Sequence, residues 1–137
     1  MDRIRVLIAD DHTLVRDGTR RILESEKDLE VVAEASNGEE AVALISSLRP
    51  DVAIIDIAMP VLDGIEVTRQ IKALYPATAI LILTAHDNDQ FIYNLLEAGA
   101  AGYLLKSVRS QELVDAVRAL HAGESVLHPA IARKVLN

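Results

Sequence analysis

An α/β fold, with a parallel sheet covered by helices on both faces, is what the sequence predicts, on three observations. Five short β-rich apolar runs alternate with stretches of helical period. The third run, Val52-Ala53-Ile54-Ile55, is apolar at every position, as a central strand buried on both faces demands. Polar residues of complementary chemistry follow four of the runs, and the strand C-termini of a parallel sheet gather at one rim, where ligands bind. A chain of 137 residues, 50% apolar, is enough for one such domain with one sizeable core.

The first strand is read from Ile4 to Ala9 and ends at Asp10-Asp11. A helix follows with Leu14, Val15, Gly18, Ile22 and Leu23 on one face, then a second strand from Leu29 to Ala35. Asn37-Gly38-Glu39-Glu40 has the form of a capping box, with Asn at the N-cap and Glu three residues on, ahead of Ala41, Leu44, Ile45 and Leu48. Arg49-Pro50-Asp51 breaks that helix before the central strand, Val52 to Asp56. A third helix spans about Ile65 to Leu74 with Val67, Ile71 and Leu74 inward; Tyr75-Pro76 stops it, because a residue before proline is driven out of helical conformation.

Strand four is Ala79 to Thr84. Asp87-Asn88-Asp89 offers caps for a fourth helix bearing Phe91, Ile92, Leu95 and Leu96, and Ala98-Gly99-Ala100-Ala101-Gly102 ends it with small residues that tolerate a left-handed turn. Strand five is short, Tyr103 to Leu105. Ser110 is the expected cap of helix five, whose Leu113, Val117 and Leu120 recur at helical spacing as far as Gly123, where the core is expected to end. The domain is therefore read as residues 1–123. In the remaining segment, 124–137, Pro129 suits the first position of a helix, and Ile131 and Val135 share one face.

A formal charge of −7 with 3% aromatic residues argues against nucleic-acid binding by this segment, since neutralising phosphates needs clustered Lys and Arg. The absence of cysteine excludes a disulfide frame, a thiolate metal site and a Cys nucleophile. The opening residues lack the features of a signal peptide, and no apolar run approaches membrane-spanning length, so a cytoplasmic protein without membrane attachment is expected.

The polar residues at the predicted rim are Asp10, Asp11, Asp56, Thr84 and Lys106, with Tyr103 beginning the fifth strand. Carboxylates held close together repel and call for a cation; an all-oxygen set of two or three protein groups suits Mg²⁺. Asp56, on the central strand and followed by a loop containing Pro60 and Asp63-Gly64, is the candidate nucleophile for holding a phosphoryl group as an acyl phosphate. Lys106 would neutralise charge, and the Thr84 hydroxyl would donate to a phosphoryl oxygen. Singly, each residue has a plainer role: Asp10 or Asp11 as a helix cap, Asp56 as a turn former, Thr84 as a strand terminus, Lys106 as a surface charge, Tyr103 as a packed aromatic. Their coincidence at the ends of four strands favours chemistry. None of His12, His86, His121 and His128 has a partner at metal-ligand spacing, so packing or surface roles are expected for them.

In combination, Asp10-Asp11, Asp56-Ile57-Ala58-Met59-Pro60 with Asp63-Gly64, Thr84-Ala85 and Tyr103-Leu104-Leu105-Lys106 resemble the response-regulator receiver domains of bacterial two-component systems, from Ile4 to about Gly123. The resemblance implies a flavodoxin-like (CheY-like) doubly wound sheet of five parallel strands in the order 2-1-3-4-5 with five flanking helices. It implies phosphorylation of Asp56 by a sensor histidine kinase. It also implies Mg²⁺ bound by Asp11, Asp56 and the backbone carbonyl of Ala58, with Asp10 acting through a coordinated water. The placement of Thr84, Tyr103 and Lys106 on adjacent strand ends makes Thr84 and Tyr103 the expected switch. Glu97 to Lys106 and Gly123 to Pro129 resemble the NarL/FixJ type, whose receiver precedes a LuxR-type helix-turn-helix domain. Residues 124–137 are then the start of a linker, DNA is bound only through that further domain, and a homodimer on phosphorylation is a possible partner state. Many receivers have a cis proline after the lysine; Ser107 stands there, where cis would cost about 2.5–4 kcal/mol, and both geometries stay open. Ala58 and His86, two residues past Asp56 and Thr84, flank the route of an attacking water without a carboxamide or carboxylate to orient it, so slow self-dephosphorylation is expected.

Three alternatives compete. A stand-alone receiver would signal by protein contact. A Mg²⁺-dependent aspartyl-phosphate phosphatase would want an acid two residues after the nucleophile, where Ala58 stands. A flavodoxin-like electron carrier would want a Gly/Ser/Thr-rich phosphate cradle after strand one, where the chain has Asp10-Asp11-His12-Thr13.

Overall fold

The computed structural model describes residues 2–85 and 88–136. Among the described residues, six parallel strands, β1 (Ile4–Ala9), β2 (Leu29–Ala35), β3 (Val52–Ile55), β4 (Ala79–Thr84), β5 (Gly102–Leu105) and β6 (Val126–Leu127), form one sheet in the order β2-β1-β3-β4-β5-β6. The helices are α1 (Thr13–Glu24), α2 (Gly38–Leu48), α3 (Gly64–Leu74), α4 (Asp89–Ala98), α5 (Ser110–His121) and α6 (Pro129–Leu136). The first five strands follow the expected order, and the sixth extends it at the β5 edge.

Alternation along the strands divides the core in two. Leu7, Ala9, Ala53, Ile55, Ile80, Ile82 and Tyr103 face α2, α3, α4 and α6, while Val6, Ile8, Val52, Ile54, Leu81, Leu83 and Leu104 face α1 and α5. Every residue of β3 is at most 2% exposed, so the uninterrupted apolar run marks the strand covered on both faces.

Local chemistry sets the helix starts. Asn37 accepts the Glu40 N–H at 2.8 Å, Asp63 accepts the Glu66 N–H at 3.0 Å and Asn88 accepts the Gln90 N–H at 2.8 Å. Asp87 and His86 lie outside the described residues. Gly99, at φ +107°, ends α4 in the left-handed conformation that its missing Cβ permits.

Several expectations need correction. Leu14 is 86% exposed and Gly18 is also at the surface; the inward face of α1 is Val15, Thr19, Ile22 and Leu23. Leu74, the last residue of α3, is exposed, and the inward residues of that helix are Val67, Thr68 and Ile71. Ser110 is the first residue of α5, and Arg109 holds the N-cap position without a side-chain bond. The core does not end at Gly123: β6 pairs with β5, the His128 N–H donates to the Tyr103 carbonyl at 3.0 Å, and Ile131 of α6 is fully buried. The Lys106–Ser107 peptide is trans. No described helix is long and apolar enough to cross a membrane.

Candidate functional site

The ladder of the sheet runs one residue past the strand ends, and that extension fixes the site. The Asp10 N–H donates to the Ala35 carbonyl at 3.0 Å, the Asp56 N–H to the Ala9 carbonyl at 3.0 Å, and the Lys106 N–H to the Thr84 carbonyl at 2.8 Å. Each polar residue is thus tied to the neighbouring strand end, and side chains distant in sequence converge. Asp10, Asp56 and Thr84 are buried, at 4%, 3% and 0% exposure. Charges so placed need partners.

Lys106 supplies one. Its Nζ lies 2.8 Å from Asp10 Oδ2 and 3.4 Å from Asp56 Oδ2. Burial pushes the Asp56 carboxyl upward and the charge of Asp10 adds to the effect; Lys106 and a hydrogen bond from the Thr84 hydroxyl offset it only in part, and the net shift is up. Burial acts in the same direction on Asp10, but hydrogen bonds from Lys106 and from the backbone and ring of His12 outweigh it, so Asp10 is held below the ordinary carboxylate range. Burial would lower Lys106, yet the two carboxylates win and its ammonium is stabilised. Two neighbouring acids are therefore driven in opposite directions, a common mark of a functional site.

Asp11 sits at the exposed mouth. One ligand atom each from Asp10, Asp11, His12 and Asp56 lies within 4.8 Å of all the others, a donor set that fits a divalent cation. His12 is the member that sequence spacing overlooked: its Nδ1 is 3.0 Å from Asp10 Oδ1 and 3.2 Å from Asp11 Oδ1. Adjacent residues at a strand end converge in a way that ligand motifs spaced along a helix do not. Neither Asp10 nor Asp11 caps α1; His12 occupies the N-cap position, without a side-chain cap bond.

Arg16 was also invisible in the sequence. Its Nη1 donates to the Asp10 carbonyl at 2.7 Å, and its Nε lies 3.4 Å from Glu34 Oε1 on β2, so the first turns of α1 grip the end of β1. Arg16 is one of three arginines in α1, with Arg20 and Arg21, and nothing in the sequence set it apart from the other two.

The loop after β3 is held by close packing. Ile57 and Met59 are buried while Ala58 is exposed between them, and the Gly64 N–H donates to the Ile57 carbonyl at 2.9 Å. A Cβ on Gly64 would lie 2.5 Å from the Asp56 carbonyl oxygen, so this glycine serves close approach, not a positive φ. The left-handed residue of the loop is Val61, at φ +70°.

Tyr103 does not stand at the rim. It pairs with Ile82, two residues short of Thr84, and its side chain is fully buried in the cluster that contains Ile92, Leu95 and Ile131.

Residues 6–118 match the response regulator receiver domain family. The chain is 45% identical over 134 residues to the transcriptional regulatory protein LiaR of Bacillus subtilis strain 168, an alignment spanning 98% of this chain and 64% of that protein. It is 38% identical over 135 residues to the transcriptional regulatory protein DegU of Brevibacillus brevis, spanning 98% of this chain and 57% of that one. The chain thus covers about three fifths of the length of these curated relatives. Its fold superimposes with a TM-score of 0.92 on a two-component response regulator of the LuxR family from Aurantimonas sp. SI85-9A1, at 39% identity, covering 98% of this chain and 96% of that one. The match runs from the third residue of β1 to the last turn of α5, across every strand that carries a rim residue: this chain belongs to the response regulator receiver domain family.

Proposed function

We propose that Asp56 accepts a phosphoryl group from a sensor histidine kinase, and that the resulting change controls a DNA-binding output domain. The observation that carries this reading is the placement of Lys106 Nζ between the Asp10 and Asp56 carboxylates at the strand ends, with the Thr84 hydroxyl on Asp56.

Asp56 is the nucleophile. One of its carboxylate oxygens forms the new bond to phosphorus as the bond from phosphorus to the donor's imidazole nitrogen breaks, and that nitrogen takes up a proton. The raised affinity of Asp56 for a proton reflects the same crowding that makes its ionised form reactive. Lys106 meets charge on the transferring group, and Thr84 can turn its hydroxyl from the carboxylate to a phosphoryl oxygen. The acidic set fits Mg²⁺, which Asp10, Asp11, Asp56 and the Ala58 carbonyl would hold; when bound it neutralises negative charge on the phosphoryl oxygens.

Beyond the acceptor, the relatives' names, both transcriptional regulatory proteins, support a part in transcriptional control. Residues 124–137 would lead to a helix-turn-helix output domain. Phosphorylation would move Thr84 and change the packing of Tyr103, altering the surface of α4, β5 and α5; packed elements respond by choosing between arrangements. Dimerisation through such a surface would bring two output domains to one site. Acceptor function is tested by intact mass after incubation with acetyl phosphate: one added phosphoryl group is expected in wild type with Mg²⁺, and none in Asp56→Ala or in EDTA.

A further inference from the structure

We infer that Arg16 is a positioning residue of the rim site: it holds the peptide between Asp10 and Asp11 in place, and through that peptide sets how tightly the acidic pocket takes its cation. The inference rests on the proposed acceptor reading and adds to it a residue that touches neither the cation nor the phosphoryl group.

Arg16 carries a largely buried charge that phosphoryl transfer does not use. Its side chain is 17% exposed, and its Nε, 3.4 Å from Glu34 Oε1, is near enough for attraction yet makes no hydrogen bond. Among the described residues it is the one buried side-chain nitrogen or oxygen left in that state. Burying a guanidinium so incompletely satisfied is costly, and such an exception calls for a reason. The reason lies at the other end of the group. There Nη1 donates to the Asp10 carbonyl at 2.7 Å, a short, charge-assisted bond.

That carbonyl belongs to the peptide joining the two adjacent acids of the rim. The Asp10 N–H donates to the Ala35 carbonyl at 3.0 Å, Oδ1 accepts from the His12 N–H at 2.9 Å, and Oδ2 meets Lys106 Nζ at 2.8 Å. With Arg16 on the carbonyl, every polar group of Asp10 is engaged. The plane of the next peptide, from which Asp11 extends toward the exposed mouth, is thereby fixed as well.

A plainer role, fastening α1 to β2, is already filled by Arg20. From an exposed position that residue reaches Glu34 Oε2 at 2.7 Å and Glu24 Oε1 at 2.9 Å, and neither partner belongs to the rim. The two arginines share Glu34, and it is Arg16 that also bonds Asp10.

Charge and positioning predict opposite outcomes when Arg16 is removed. A guanidinium near a cation site repels the cation, so on charge alone its loss tightens binding. If it keeps the two acids in place, its loss leaves the ion to order the Asp10–Asp11 turn itself, and binding weakens. Once bound, the ion imposes the same arrangement, so phosphoryl transfer at saturation is spared.

The test titrates the 137-residue chain with Mg²⁺ by amide NMR, and follows its reaction with acetyl phosphate by intact mass at increasing Mg²⁺, in wild type, Arg16→Met, Arg16→Gln, Arg16→Lys and Arg20→Met. In the Met and Gln variants of Arg16, Mg²⁺ affinity is expected to fall about 10-fold, with half-saturation of the phosphorylation rate moving by the same factor and its maximum kept within about 3-fold. The contact to the carbonyl is a single bond, so Arg16→Lys should recover most of the affinity; Arg20→Met, which removes an exposed and screened charge, should stay within about 2-fold of wild type. The Asp11 amide, whose nitrogen adjoins the carbonyl that Arg16 binds, should shift in the metal-free spectrum of the Arg16 variants and not in Arg20→Met. Unchanged or tighter Mg²⁺ binding in Arg16→Met and Arg16→Gln, an equal loss in Arg20→Met, or a fall in the maximal rate alone would overturn the role of Arg16 while leaving the rim as the acceptor site. A wild type that binds no Mg²⁺ or accepts no phosphoryl group would overturn the acceptor reading itself. Urea midpoints identify the variants that fold, and Arg16→Gln, with a polar end in the buried position, carries the test should Arg16→Met not fold.

Discussion

Replacing Asp56 by Asn should stabilise the metal-free protein at neutral pH. The Asp10 and Asp56 ligand atoms lie within 4.8 Å of each other, which at an effective dielectric constant of about 20 is a repulsion of at least about 3.5 kcal/mol. Attraction to Lys106 Nζ at 3.4 Å is about 5 kcal/mol on the same scale, so the Coulomb terms nearly cancel. Desolvation then decides the sign: Asp56 is 3% exposed, and burying an ion costs several kcal/mol after relaxation. Asn keeps the shape without the charge, and a net gain of about 1–3 kcal/mol is expected at pH 7.

The pH dependence follows from the upward shift of Asp56. A carboxyl whose folded pKa is raised contributes stability that is fully present below its unfolded value of about 3.9 and is lost as pH rises through the folded value. Wild type therefore lacks this contribution at pH 7, and the advantage of Asp56→Asn should shrink as pH falls toward about 4. Urea unfolding in EDTA at several pH values measures both. A mutant less stable than wild type at pH 7, or an advantage that does not shrink in acid, would refute the reasoning.

Other expectations concern the parts around the site. Ile131→Ala should cost α6 docking about 2–5 kcal/mol, more than the Tyr93 hydroxyl to Lys134 carbonyl bond at 3.0 Å and the exposed Lys134–Asp89 pair can offset; hydrogen exchange should quicken across 126–136 and stay unchanged in β1 and β3. Val61→Asn should raise the urea midpoint by the equivalent of about 0.5–1 kcal/mol, because a β-branched residue 72% exposed at φ +70° carries strain and little packing; an unchanged or lower midpoint would count against it. Thr84→Ala should abolish the chemical-shift response of Tyr103 to beryllofluoride, and a wild-type response in that variant would break the proposed link between acceptor and switch.

Much of this was legible in the chain. Strand boundaries at Ile4, Ala9, Leu29, Ala35, Ala79 and Thr84 followed from apolar runs, and the Asn37 cap followed from its spacing to Glu40. The rim residues were legible because parallel topology turns strand ends into neighbours. What escaped depended on three-dimensional reach. Leu14 belongs to a helical pattern, but in the first turn of α1 it faces solvent, while Thr19 and Leu23 are the buried residues of that helix. Residues 126–136 read as a tail because a two-residue strand has no period; Val126 and Leu127 find their place only by pairing with Gly102 and Tyr103. Tyr103 read as a rim residue because it begins a run, although the rim lies at the other end of that run. His12 and Arg16 gain their partners through the turn from β1 into α1, whose shape no residue pattern announced.

The central claim is that Asp56 is the phosphoryl acceptor and that a divalent cation is required. Its most direct test is intact mass spectrometry of the chain after exposure to acetyl phosphate, followed by peptide mapping of the trapped acyl phosphate. A single phosphoryl group on Asp56 in the presence of Mg²⁺, absent in Asp56→Ala and in EDTA, is the predicted result; undiminished phosphorylation in either control would contradict it.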